Sequence, residues 1–189
     1  VLAKVQKLAP GMTFEFLSPF TVEVETMVKS GIDIVIAPES ETVDGYPHAF
    51  FSTDELACIA CKDNPDTQGG LTPEIFSSLG HASVGFGRVS LLSIEQWLIN
   101  ERNIERKVEV ITNDFTSLCT TVVSTGRLAI IPRRFAELMA TFMPIDILSM
   151  PFDFPDLREA MMWHPTVDSD PIHRWLRTLI LEEAALVSS

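Results

Sequence analysis

The sequence predicts an α/β protein, and three observations carry that reading. Segments with helical spacing alternate with segments of strand character along most of the chain. The run Ile32-Asp33-Ile34-Val35-Ile36-Ala37-Pro38 is apolar almost throughout, the pattern of a strand covered on both faces in a parallel sheet. The alternation then restarts after the turn-formers Asn64-Pro65 and Gly69-Gly70, which implies two α/β units in succession. At roughly 150 residues per domain, 189 residues hold one large domain or two small ones packed together.

The elements follow in order. Apolar residues at 1, 2, 5 and 8 give a helix that Ala9-Pro10-Gly11 stops. Met12 to Leu17, rich in Phe, reads as a short strand, Val22 to Lys29 as a helix ended by Gly31, and Ile32 to Pro38 as the next strand. Ala49 to Lys62 is a strand long enough to run through more than one subdomain. Beyond the turns, helices are expected at 73–79, 93–103, 115–125 and 133–142. Strands are expected at 82–86, 107–112 and 128–132, with an extended stretch at 145–150 and a strand from Leu157 to His164. Asp170-Pro171 supplies an N-cap with proline at the first helical position. Ile172, Trp175, Leu176, Leu179 and Ile180 then form one apolar helix face.

Composition excludes several classes. Hydrophobic residues make up 46% and charged residues 21%, an ordinary globular balance. Fourteen basic against 26 acidic residues leave a net charge of −12, which argues against this segment gripping phosphates or an anionic membrane surface. No apolar run reaches the roughly 20 residues of a bilayer-crossing helix. The opening reads as the middle of a helix without a start signal, so the chain is expected to be a piece of a longer protein. Three cysteines, Cys58, Cys61 and Cys119, cannot all pair, and their scarcity fits a reducing compartment, read as the cytoplasm.

Little chemistry stands out. Cys58-Ile59-Ala60-Cys61 is a C-x-x-C, but a structural zinc site wants a second close pair of ligands and a redox dithiol usually opens a helix. These two lie in a strand, so they read as structural cysteines, and no metal or cofactor is expected. Gly85-Phe86-Gly87 lacks the third glycine of a dinucleotide fingerprint. No nucleophile elbow, Walker sequence or H-E-x-x-H is present, so the chain reads as no enzyme. Ligands in open α/β sheets sit beyond the carboxyl ends of strands. That rule gathers Pro38, Gly85, Phe86, Gly87, Arg88, Pro132, Met162, Trp163 and His164, with helix starts near Phe20 and Phe115.

Several motifs coincide with one family. Ala9-Pro10-Gly11, Ser30-Gly31-Ile32-Asp33, Asp54-Glu55-Leu56, Pro65, and the closing set Pro151-Phe152-Asp153-Phe154-Pro155, Glu159, Met162-Trp163-His164, Asp170-Pro171 and Trp175-Leu176-Arg177 are its marks. On them the chain resembles, over essentially its whole length, the effector-binding domain of LysR-type transcriptional regulators. It is similar to the branch holding the NodD nodulation regulators and the regulators of salicylate, nitroaromatic and chlorophenol degradation. The resemblance implies a fold like type 2 periplasmic binding proteins, two α/β subdomains joined by two crossing segments. Residues 1–60 with 162–189 would form the first and 61–161 the second. It further implies an effector in the cleft between them, contacted from Ser18 to Thr21 (Phe20 and Thr21 included), Pro38, the 83–88 strand end, Phe115 and Thr116, and the return crossing at Met162 to His164.

The family's effector domain normally begins one strand earlier, so the first strand of the first subdomain is expected to be missing. The function implied is sensory: a small aromatic effector, halogenated phenols among the candidates, shifts the subdomains of a homo-oligomer, a dimer or tetramer. On that reading Phe20, Phe86, Phe115, Met162 and Trp163 would supply apolar walls, while backbone amides at helix starts, with His81, His164 or Arg88 nearby, could take a carboxylate or phenolate. An amino-terminal domain absent here would bind DNA. The competing class is a periplasmic-type solute-binding protein for transport, which shares the fold and would need export.

Overall fold

The computed structural model describes residues 1–17, 26, 29–85 and 94–187. Contacts divide the chain into two units, Val1–Thr53 with Arg158–Ser189, and Asp54–Leu157. The changeovers thus fall before the 60/61 and 161/162 expected from sequence. The reason is strand pairing: Leu56–Cys61 hydrogen-bonds on both sides to strands of the second unit.

In the first unit, helix α1 spans Leu2–Leu8 and buries Val5. Strand β1 is Val35–Pro38, β2 is His48–Asp54, and β8, which returns from the second unit, is Leu157–Met162. They form one sheet in the order β1-β8-β2. The long final helix, α6, runs over Pro171–Val187. Asp170 caps it, its Oδ1 accepting from the His173 amide at 2.7 Å. Val35, Ala37 and Met162 pack with Ile32, Val43 and Tyr46.

The second unit contains β3 (Leu56–Cys61), α2 (Pro73–Ser78), β4 (Gly80–Val84), α3 (Ile94–Glu101) and β5 (Lys107–Thr112). It continues with α4 (Phe115–Val123), β6 (Ala129–Pro132), α5 (Arg133–Ala140) and β7 (Ile145–Leu148). β3 lies between β6 and β7, antiparallel to both. β4 and β5 are parallel, and a parallel bridge from His81 to Leu128 joins them to the start of β6. Helices cover both faces. Leu56, Cys58, Ala60, Leu128 and Ile130 pack with Phe76, Leu98 and Ile99 of α2 and α3. Ile59, Ala129 and Ile131 pack with Leu118, Val122, Ala136 and Met139 of α4 and α5. The alternation of strand side chains between two faces produces this two-sided core.

Several expectations need correction. Met12 to Leu17 forms no strand, and Phe14, Phe16 and Leu17 are exposed, because no neighbour among the described residues pairs with them. The apolar run at 32–38 forms a strand only from Val35. It pairs antiparallel with β8 and leaves Ile36 40% exposed, so it is not a parallel strand covered on both faces. The stretch Ala49 to Lys62 is two strands that break at Glu55. Ile172 lies on the exposed side of α6, since the buried positions are His173, Arg177 and Leu179. The helix expected at 22–29 lies largely outside the described residues.

Candidate functional site

In the second unit the strand ends meet as the carboxyl-end rule requires. Because β4 and β5 run parallel, and the His81–Leu128 bridge sets β6 alongside them, Gly85, Phe115, Thr116 and Pro132 emerge at the same end. The Gly85 amide donates to the Thr112 carbonyl at 2.9 Å. A Cβ on Gly85 would fall 2.5 Å from Ile111 Cγ2, so the close approach of these two strand ends uses the absence of a side chain. Asp114 caps α4, its Oδ1 accepting from the Ser117 amide at 2.8 Å and its Oδ2 from the Ser117 hydroxyl at 2.6 Å. Those bonds to Ser117 hold its carboxyl below the usual carboxylate range. The Phe115 ring sits 5.7 Å from that of Phe135.

Pro132 has no capping side chain of its own, and the first amides of α5 are taken by the segment that enters β3. The Arg133 amide donates to the Glu55 carbonyl at 2.8 Å, and the Arg134 amide to Asp54 Oδ2 at 3.3 Å. Arg133 also pairs with the Glu55 carboxylate at 2.9 Å. Asp54 and Glu55 therefore belong to this end of the unit, although sequence reading used them only as marks of a resemblance.

In the first unit the site residues do not gather. Pro38 is in register with Glu159, whereas Met162 is opposite Val35, three residues or about 10 Å along the strand pair. Met162, Trp163 and His164 thus lie at the other end of the β1/β8 pair from Pro38. The physical reason is that the carboxyl-end rule presumes parallel strands, and an antiparallel strand brings its amino end to Pro38. Trp163 is a core residue: its Nε1 donates to Asp168 Oδ1 at 2.8 Å, and the Arg177 guanidinium lies 4.2 Å over its ring. His164 Nδ1 accepts from the Thr166 amide at 3.2 Å and lies 2.7 Å from the Thr166 hydroxyl. His164 lines a cavity of about 220 Å³ with Lys29, Gly31, Ile32, Asp33, Thr166 and Val167.

The residues that do accompany Pro38 are ones sequence reading missed. Arg158 Nε donates to Glu39 Oε2 at 2.6 Å, its guanidinium lies 4.8 Å from the Phe50 ring centroid, and the Ser52 hydroxyl donates to Glu159 at 2.8 Å. The signal that would have found them is the antiparallel register itself.

His81 is corrected too. It is fully buried under Phe76, ring centroids 4.4 Å apart, with Nε2 donating to the Phe76 carbonyl at 2.7 Å. Burial pushes its pKa down, so it is a neutral core histidine rather than a contact for an anion. Phe20, Thr21, Phe86, Gly87 and Arg88 lie outside the described residues. A second cavity, about 450 Å³, is lined by Pro73, Ser77, Arg102 to Glu105, Phe152 and Asp153, away from the carboxyl ends of β4 and β5.

The cysteines are free thiols. Burial raises the pKa of Cys58, and it pushes that of Cys119 up to about 11, so neither is poised as a thiolate. Among the described residues no group of three or more His, Cys, Asp or Glu is placed to hold a metal ion. No described helix is long and apolar enough to cross a membrane.

Comparison with known proteins gives a consistent result. A family model described as the LysR substrate binding domain matches residues 1–185. Nodulation protein D 2 of Rhizobium tropici is 33% identical over 190 residues, covering 100% of this chain and 60% of that protein. Nodulation protein D 1 of Rhizobium tropici is 31% identical, covering 98% and 60%. The chain thus spans about 60% of the length of these curated relatives. Among solved structures, a putative transcriptional regulator from Vibrio parahaemolyticus superposes with a TM-score of 0.82 at 20% identity, covering 97% of this chain and 86% of that one. The regulatory domain of MexT, a transcriptional activator in Pseudomonas aeruginosa, gives 0.80 at 21%, covering 96% and 88%. At these identities the structures speak for the fold, which is of the type 2 periplasmic-binding-protein-like α/β class.

Proposed function

Because the chain belongs to the LysR substrate-binding domain family, we propose that it is the sensory part of a transcriptional regulator and binds a small aromatic effector, halogenated phenols among the candidates. The observation that carries this reading is the convergence of Gly85, Phe115, Thr116 and Pro132 at one end of the second unit, where the half-buried Phe115 and Pro132 and the exposed Thr116 leave side-chain surface for a ligand. In the first unit the contact proposed is Pro38. Phe20, Thr21, Phe86, Gly87 and Arg88 remain proposed contacts on the family resemblance alone. His81, Met162, Trp163 and His164 are not proposed, for the reasons of burial and register given above. DNA contact is assigned to a segment outside these residues, which agrees with a net charge of −12 here. The assembly is proposed to be a cytoplasmic homo-oligomer that the effector shifts between arrangements. The chemistry is recognition, not catalysis.

Thermal-shift titration with chlorophenols, salicylate and flavonoids tests the reading. At least one class should raise the melting temperature in proportion to the logarithm of ligand excess. Silence across the whole panel counts against an aromatic effector.

A further inference from the structure

We propose that Arg158 reads an acid group on the effector and that Glu39 occupies its place until the effector arrives. This rests on the reading of the domain as an effector sensor. Arg158 stands near the start of β8, next to the residue that is in register with Pro38, and Glu39 directly follows Pro38. The guanidinium meets Glu39 with two prongs, Nε to Oε2 at 2.6 Å and a terminal nitrogen to Oε1 at 3.3 Å. That is the geometry in which arginine grips a carboxylate. The Phe50 ring, 4.8 Å away, supports the plane of the fork and presents apolar surface beside it.

The pair is exposed, with 54% of the Arg158 side chain and 42% of that of Glu39 open to solvent. Such ion pairs add little to stability, so this one is cheap to exchange. An arriving carboxylate or phenolate replaces Glu39 like for like on the two-pronged fork, and Glu39 passes to water. Arg158 holds the Glu39 carboxyl below the usual carboxylate range while the two are paired; once released, Glu39 is an exposed carboxylate that water hydrates. Of the other carboxylates at this end, Glu159 accepts from the Ser52 hydroxyl, and an arriving anion meets its repulsion as well as the pull of Arg158. The ligand class that follows is an aromatic acid or an ionised phenol, its ring beside Phe50 and its anionic group on the fork.

Calorimetric titration of the chain with salicylate and with uncharged salicylamide, in the wild type, Arg158→Gln and Glu39→Ala, tests this. Salicylate should bind the wild type more tightly than salicylamide. Arg158→Gln should lose about tenfold in salicylate affinity and leave salicylamide unchanged, whereas Glu39→Ala should gain several-fold for salicylate. Both variants should melt with the wild type when unliganded, because the pair is exposed. Arg158→Gln binding both compounds like the wild type, Glu39→Ala showing no gain, or flavonoids binding where salicylate does not would each overturn the role of Arg158 while the sensor reading stands. If no aromatic compound of either panel binds the wild type, the sensor reading fails and this proposal falls with it.

Discussion

The two units treat a similar apolar strand in opposite ways. In the second unit, β3 is buried from Leu56 to Ala60, with Ala57 to Ala60 fully enclosed between two helical layers. In the first, β1 alternates, with Val35 and Ala37 buried and Ile36 40% exposed. One ion pair from each unit shows the same contrast, although the first unit also buries Arg177 and the second exposes its Arg133–Glu55 pair. The second unit buries an ion pair, Arg106 with Glu95, at 2% and 4% side-chain exposure, and Glu95 also accepts from Ser83 at 3.2 Å. The first unit leaves its Arg158–Glu39 pair in water. A core that pins helices on both sides makes a rigid frame, whereas an exposed, exchangeable pair beside a half-covered sheet suits a surface that must respond to a ligand.

The strongest way to break this contrast is to remove one member of each pair. Arg106→Met removes the arginine partner of the buried Glu95 and should cost about 3–5 kcal/mol in chemical denaturation. Arg158→Met should leave the unfolding midpoint where it is. Equal effects would mean that burial does not separate the units.

Next in size is a pair of truncations. Ile59→Ala opens a cavity in a fully enclosed site and should cost about 2–5 kcal/mol. Ile36→Ala removes a side chain that water already reaches, and should stay within about 1 kcal/mol of wild type. A large loss at Ile36 would show that another surface covers that face in solution.

The comparison also explains what could be read from sequence. Elements with local signals were legible. Lys107–Thr112 follows the expected range because turn-formers bound it, and α4 and α6 start where Asp114 and Asp170 supply caps. The helices on both sides of β3 followed from alternating patterns. What failed was long-range. Whether β1 met its neighbour parallel or antiparallel is decided by β8, 120 residues on, and with it the fate of Met162 to His164 and of Arg158. The buried face of α6 was misjudged at Ile172 because a polar network turns the helix. Arg177 donates to His173 Nδ1 at 2.7 Å and to the Asp168 carbonyl at 2.8 Å, and His173 Nε2 reaches the Asp33 carbonyl at 3.0 Å. Hydrophobic periodicity does not register such groups.

The smallest effect expected separates the two buried histidines of the two units. In the first unit both ring nitrogens of His173 have partners. In the second, His81 donates through Nε2 to Phe76, and its Nδ1 finds no hydrogen-bond partner among the described residues. Protonating Nδ1 would create a buried cation whose new N–H has no acceptor. The folded-state pKa of His81 is accordingly depressed below the ordinary 6.5, chiefly by burial. Over the window between that depressed value and 6.5, the unfolded chain binds more protons than the folded one. His81 therefore contributes a stability that is complete above pH 6.5 and declines as the pH falls through that window. Denaturation midpoints measured from pH 7.5 down to about 5, a range chosen to bracket the ordinary histidine value, should fall in the wild type and fall less steeply in His81→Gln. Parallel profiles would place the acid sensitivity elsewhere.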